Sequence, residues 1–159
     1  MRLLILSDSH GNLQYMTQAV ERLGPTHVIH LGDHTRDARD LAGRFPMTPL
    51  VSVRGNCDYG DDTPEQRLAD YGGVRVLMCH GHRHGVKSGL QRYLLAAKES
   101  LADVALFGHT HQAYCEEEGG VWLVNPGSCG GYAPTCAVID IAAGKPSCRI
   151  VRLDEEEIL

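Results

Sequence analysis

Short apolar runs, each stopped by a glycine-rich polar cluster, organise the chain. Residues 2–6 (Arg-Leu-Leu-Ile-Leu) carry four consecutive large apolar side chains and stop at Ser7-Asp8-Ser9-His10-Gly11, which predicts a first strand. Leu13, Met16, Val20 and Leu23 then recur at helical spacing behind Asn12, a capping residue, and Gly24-Pro25 ends that helix. His27–Leu31 predicts a second strand ending at Gly32-Asp33. Residues 36–44 predict a short helix, and Leu50–Val53 a third strand ending at Arg54-Gly55-Asn56. The order β-α-β-α-β is that of a parallel sheet with right-handed crossovers.

The second half changes period. Gln66–Tyr71 and Val74–Cys79 flank Gly72-Gly73 and predict a hairpin whose second arm ends at His80-Gly81. Ser88–Leu101 predicts a helix with Leu90, Leu94, Ala97 and Leu101 on one face. Val104–Phe107 predicts a strand ending at Gly108-His109-Thr110-His111. Ala113–Glu118, Val121–Val124, Thr135–Ile141 and Ser147–Leu153 then predict consecutive antiparallel strands, and the acidic run 154–157 a solvated end. Repeats, linkers and low-complexity segments are absent from the sequence.

Composition narrows the class. The 159 residues fit one domain spanning 1–159, and 43% hydrophobic with 22% charged residues is the balance of a globular chain. No run approaches ~18 apolar residues, so no membrane span is expected. The first apolar stretch is short for a signal peptide and ends in an acid, which points to the cytoplasm. A net charge of −5 argues against non-specific nucleic-acid binding. The six cysteines contain no CxxC pair and several lie in apolar runs, so they read as small buried hydrophobes rather than a disulfide framework.

The chemistry sits where the runs stop. Five strand-like segments end in Gly with His, Asp or Asn: Asp8-x-His10, Gly32-Asp33, Gly55-Asn56, His80-Gly81 and Gly108-His109-x-His111. In α/β folds ligands bind beyond the carboxyl ends of the strands. Asp8, His10, Asp33, Asn56, His80, His109 and His111 can therefore converge. Oxygen and imidazole donors without thiolate suit Mn²⁺, Zn²⁺, Fe²⁺ or Ni²⁺. Seven donors exceed the needs of one four-to-six-coordinate ion and suit two ions that share a carboxylate.

The order DxH, GD, GN, HG, GHxH resembles that of the calcineurin-like metallophosphoesterase superfamily. Within it, the small chain, Gly55-Asn56-Cys57-Asp58 and His80-Gly81-His82 resemble the small YfcE-type phosphodiesterases. The resemblance covers nearly the whole chain and implies an α/β fold, a four-layered α/β/β/α sandwich of two mixed sheets. It implies two divalent transition-metal ions, Mn²⁺ foremost, with Ni²⁺, Fe²⁺ or Zn²⁺ as alternatives. Asp8, His10, Asp33 and His111 would hold one ion, and Asp33, Asn56, His80 and His109 the other, with Asp33 bridging. It implies hydrolysis of a small phosphodiester by a metal-bridging hydroxide, with Asn56 also touching the phosphate, and self-association as a homodimer.

One position departs from the larger superfamily, in which Gly-Asn is usually followed by a histidine able to protonate the leaving oxygen. Here that residue is Cys57. A thiol with pKa ~8.5 matches neutral pH less well than an imidazole at ~6.5. His82, two residues from His80, is the alternative acid. His27 and His30 read as structural, and His34 as a rim residue. Asn125-Pro126-Gly127-Ser128 reads equally as a turn or as a loop near the site, and Trp122 as core or interface. The competing classes are a non-catalytic scaffold like the retromer subunit Vps29, and a phosphomonoesterase or nucleotide hydrolase. A complete ligand set favours the enzyme over the scaffold.

Overall fold

The computed structural model describes residues 1–155. Leu3–Leu6 leave no water-facing alternation, and β1 (Arg2–Leu6) is accordingly buried on both faces at the centre of its sheet. Leu3 and Ile5 point to one side and Leu4 and Leu6 to the other. Leu4 and Leu6 meet Met16, Ala19, Val20 and Leu23 of α1 (Gln14–Leu23) and Leu41 of α2 (Thr35–Arg44). Leu3 and Ile5 face a second sheet and pack with its Val74, Val76, Met78, Val104 and Leu106. The far side of that sheet, with Leu77, Ala105 and Leu123, is covered by Tyr93 and Ala97 of α3 (Gln91–Glu99). The layers are thus α/β/β/α, as the resemblance implies.

Strands β2 (His27–His30) and β3 (Leu50–Ser52) run parallel to β1, as the β-α-β-α-β pattern predicts. The hairpin β4 (Gln66–Tyr71) and β5 (Val74–Cys79) has the predicted bounds, because Gly72 and Gly73 both take positive φ at its turn. Strands β6 (Val104–Leu106), β7 (Tyr114–Glu118) and β8 (Val121–Asn125) complete that sheet in the order β4-β5-β6-β8-β7. The Asn12 side chain accepts the Gln14 N–H, so it serves the start of α1 from one position ahead of the N-cap Leu13.

Two expectations are corrected. The last four strands are not one run of antiparallel neighbours. β9 (Thr135–Ala142) and β10 (Lys145–Arg152) return to the first sheet, giving the order β10-β9-β1-β2-β3 with β9 antiparallel to β1. The cause is burial on both faces of β9. Cys136 and Val138 join the α1 and α2 layer, while Ala137, Ile139 and Ile141 join the core between the sheets. The second correction concerns the helix predicted over Ser88–Leu101, which spans only Gln91–Glu99. Gly89 at φ 147° cannot be helical, and Leu101 lies in the turn beyond, 74% exposed. Tyr93 is the buried anchor instead.

All six cysteines are free; Cys79, Cys129 and Cys136 are buried, Cys115 and Cys148 half-buried, and Cys57 exposed. Among the described residues no helix is long and apolar enough to cross a membrane. Of the acidic run 154–157, Asp154 and Glu155 are exposed, and positions 156 and 157 lie outside the described residues.

Candidate metal centre

The parallel strands β1, β2 and β3 of one sheet, and β5 and β6 of the other, bring their carboxyl ends together. Asp8 Oδ1 lies 3.1 Å from His111 Nε2 and 3.9 Å from both His10 Nε2 and His80 Nε2. Asp33 Oδ2 lies 3.4 Å from His80 Nε2. Two groups can each bring three donor atoms within 4.8 Å of one another: Asp8 with His10 and His111, and Asp8 with Asp33 and His80. The carboxylate common to both is Asp8, whereas the resemblance gives that role to Asp33. His109 stands against His80 with ring centroids 5.0 Å apart. The Asn56 amide is exposed, and its Nδ2 lies 3.6 Å from Cys57 Sγ.

The local backbone is strained here and almost nowhere else. Seven non-glycine residues among the described ones have φ in the left-handed region, and five of them are Asp8, His10, Asp33, His109 and His111. Each such residue costs about 1–3 kcal/mol and persists only where its surroundings dictate it. The surroundings do so through close contacts between loops. The Asp8 N–H donates to Gly32 O, and the Gly108 N–H to His80 O. A Cβ on Gly55 would land on Asp33 Oδ1, and one on Gly108 on Ser7 Oγ and Asp8 Oδ2.

Two buried atoms reveal what the cluster is built for. Asp8 Oδ2 accepts hydrogen bonds from Ser7 Oγ (2.6 Å) and the His109 N–H (3.2 Å), but Oδ1 has no donor. His80 Nδ1 lies 2.8 Å from Leu31 O, so it carries the proton and donates, leaving the Nε2 lone pair aimed at the carboxylates. Nε2 is likewise buried without a hydrogen-bond partner. Two buried acceptors facing one another need a cation or a proton between them. The electrostatics agree. Burial lowers the His80 pKa, but the Asp33 and Asp8 carboxylates outweigh it and raise it. Burial raises Asp33, but His80 and the Cys57 N–H hold it well below the usual carboxylate range. His109 is pushed down by burial and then by His80.

Residues without an assigned role hold the loops together. Asp58 Oδ2 accepts the N–H groups of Asp33 (2.9 Å) and Gly55 (2.6 Å), and Oδ1 that of Thr35 (2.9 Å). It clamps the loop after β2 to the loop after β3. The sequence offered one signal, its place in Gly55-Asn56-Cys57-Asp58. The Asn125–Ser128 loop braces the site from beneath: Asn125 Nδ2 donates to Gly108 O and Thr110 Oγ1, and Ser128 Oγ to Asp8 O. His82 stands beside His80, ring centroids 5.6 Å apart, with Nε2 3.9 Å from Glu65; burial and His80 lower its pKa. The ring of His34 lies 5.0 Å from that of His10. Arg83 is engaged by Glu65.

His30 is fully buried, and burial pushes its pKa down to about 4. An unfolded chain protonates this imidazole near pH ~6.5. Between those values the unfolded state binds more protons, so stability rises with pH there and is lost as pH falls from 6.5 towards 4. This group alone should remove about 3 kcal/mol over that window. Chemical denaturation between pH 4 and 7 checks this. The wild type should lose stability more steeply than His30→Gln, and parallel curves would place the acid sensitivity elsewhere.

Residues 1–144 match the calcineurin-like phosphoesterase superfamily domain. Over 131 residues the chain is 38% identical to the probable metallophosphoesterase YsnB of Bacillus subtilis, covering 80% of this chain and 75% of that one. It is 28% identical to a protein of Methanocaldococcus jannaschii named a phosphodiesterase, covering 88% of this chain and 93% of that one. Among solved structures, a predicted phosphoesterase of Streptococcus pneumoniae superposes with TM-score 0.82 at 25% identity, covering 98% of this chain and 91% of that one. Vps29 of Entamoeba histolytica, solved in complex with zinc, shares the fold with TM-score 0.76 at 19% identity, covering 97% of this chain and all of that one.

Proposed function

The chain belongs to the calcineurin-like phosphoesterase superfamily, and on that premise we propose that it hydrolyses phosphodiesters with two divalent transition-metal ions. Asp8, His10, Asp33, Asn56, His80, His109 and His111 are the residues that would hold them, with Mn²⁺ the first choice for this oxygen and imidazole set. The carrying observation is the pair of buried acceptors, Asp8 Oδ1 and His80 Nε2, that face each other with no donor between them. When bound, such ions supply Lewis acidity towards a phosphoryl oxygen and lower the pKa of a water to near neutrality.

The chain's own groups do the rest. Asp8 and Asp33 bring two negative charges to the gap, and Leu31 O holds the His80 imidazole in the tautomer that presents Nε2. The exposed Asn56 amide can donate to a phosphoryl oxygen. Of the two groups able to handle a leaving-group proton, Cys57 keeps its proton at neutral pH, since burial and then Asp33 raise its pKa. His82 is neutral there, since burial and His80 lower its pKa. Neither is a strong acid at pH 7, which favours substrates with stable leaving groups.

The M. jannaschii relative's name supports the diester reading over a monoester one. The Vps29 likeness concerns the fold, and its zinc complex means that metal binding alone does not separate enzyme from scaffold. Turnover does. Reconstituted with Mn²⁺, the protein should hold two ions per chain and cleave an aryl phosphodiester faster than monoesters or cyclic nucleotides. A chelator should abolish the activity. Activity should fall on acidification through pH ~6–7, because protons compete with metal for the imidazoles. One ion or none in metal analysis, or chelator-resistant turnover, defeats the proposal.

A further inference from the structure

Ser9 stands between two candidate ligands, Asp8 and His10, yet its own hydroxyl is committed to a buried chain of hydrogen bonds. The Gly32 N–H donates to His30 Nδ1 (3.1 Å), which makes Nδ1 an acceptor and leaves the imidazole proton on Nε2. His30 Nε2–H then donates to Ser9 Oγ (2.9 Å), and Ser9 Oγ–H to Asp37 Oδ2 (2.7 Å). The Gly11 N–H donates to the same oxygen at 2.7 Å. One tautomer satisfies every member. Ser9 and His30 are fully buried, and Asp37 is 5% exposed.

The ends of this chain are informative. Gly32 precedes Asp33, Ser9 lies between Asp8 and His10, and Gly11 follows His10. Asp8, His10 and Asp33 are three of the five candidate ligands with left-handed backbones. Such conformations survive only when neighbouring bonds over-determine them. The Asp8 and Asp33 side chains accept the His109 and Cys57 N–H groups, and the bonds of the residues between and beside the candidate ligands add a second, independent set of constraints. Asp37 sits on α2, a helix packed into the core through Ala38 and Leu41, so the chain is anchored to a rigid element.

We infer that Ser9, His30 and Asp37 are positioning residues: they hold Asp8, His10 and Asp33 in the backbone conformations from which these side chains reach the ions. The inference rests on the two-ion reading above. Loss of comparable supporting bonds weakens metal binding about 10–100-fold. A merely structural role would lower stability without a selective effect on metal.

The test uses Ser9→Ala, Asp37→Ala and Asp37→Asn in the whole chain, titrated with Mn²⁺ at a temperature where circular dichroism shows each variant folded. Asparagine can set its carbonyl oxygen where Oδ2 stood and accept both bonds, so it preserves the chain without the charge. The two alanine variants should bind at least one of the two ions about tenfold or more weakly. Asp37→Asn should stay close to wild type. In metal-free protein, the Gly11 amide should exchange with solvent faster in Asp37→Ala than in Asp37→Asn. Wild-type affinity for both ions in the alanine variants overturns the inference, as does an asparagine variant as impaired as alanine. If wild type takes up no Mn²⁺, the two-ion reading fails instead. The Gly11 exchange rates then decide the clamp: equal rates in the two Asp37 variants overturn it, and a faster rate in alanine upholds it.

Discussion

Asp33→Asn should lose metal from the group that Asp33 forms with Asp8 and His80 and slow phosphodiester hydrolysis by about 10³-fold or more, the several kcal/mol of ion-derived stabilisation at ~1.4 kcal/mol per tenfold. Asparagine is the better test than alanine. Position 33 has φ 48°, a conformation that Asn tolerates and Ala does not. It is isosteric, and its carbonyl can still accept the Cys57 N–H that Asp33 Oδ1 accepts at 2.9 Å. What vanishes is one negative charge, 3.4 Å from His80 Nε2. With that charge gone, the His80 pKa should fall, since Asp33 is among the groups that raise it against burial. Metal analysis, turnover and an imidazole titration of metal-free protein measure the three consequences together. A folded variant that keeps both ions and full activity would remove Asp33 from the centre.

Cys57→His should accelerate hydrolysis of alkyl and cyclic-nucleotide diesters by about 10²–10⁴-fold while changing activated aryl diesters little. An aryl diester leaves as a stable phenolate. An alkoxide needs a proton as its bond breaks, and the Cys57 thiol, its pKa raised by burial and Asp33, gives it up poorly. Two features favour the substitution. Cys57 is exposed, so an imidazole has room, and its structural bond to Asp33 comes from the backbone N–H, which survives any side chain. Sγ lies 3.6 Å from the Asn56 amide, so the new ring would stand beside that candidate ligand. Metal content is measured in the same sample, because a ring displacing Asn56 would cost an ion. A variant with both ions but no selective gain on poor leaving groups would show that Cys57 is not the missing acid.

How much of this was legible beforehand depended on whether the signal was local. The hairpin over 66–79 was readable because two adjacent glycines separate two runs of strand-like residues. The residues that the structure gathers at the strand ends were readable because polar residues after apolar runs are conspicuous. The sheet membership of β9 was not readable. Its nearly continuous apolar run fits any strand buried on both faces, and only the pairing of Leu3 with Ile139, across more than a hundred residues of intervening chain, decides which sheet it joins. Leu101 matched the helical spacing, but the positive φ of Gly89 and the burial of Tyr93 set the helix. Asp37 looks like any surface acid in sequence, and Asp58 is set apart only by its place after Gly55-Asn56-Cys57. Their importance lies in which backbone N–H groups they accept, and that is a property of three-dimensional neighbours.

The two sheets draw on the chain in different ways. The second uses residues 66–125 without interruption, whereas the first combines residues 2–52 with residues 135–152. During synthesis the second sheet can therefore close while β1 still waits for its partner. Until β9 leaves the ribosome, β1 offers an open edge formed by Leu3–Leu6, the kind of flat apolar edge that recruits other chains. Released chains truncated between residues 125 and 135 should thus be the most prone to association through this edge. The Ser128 and Cys129 contacts to Asp8 O and Ser7 O arrive only in that same interval, so the β1 loop is secured late. The loop carrying Asp8 and His10 is consequently braced only after the strands of the second sheet have all been made.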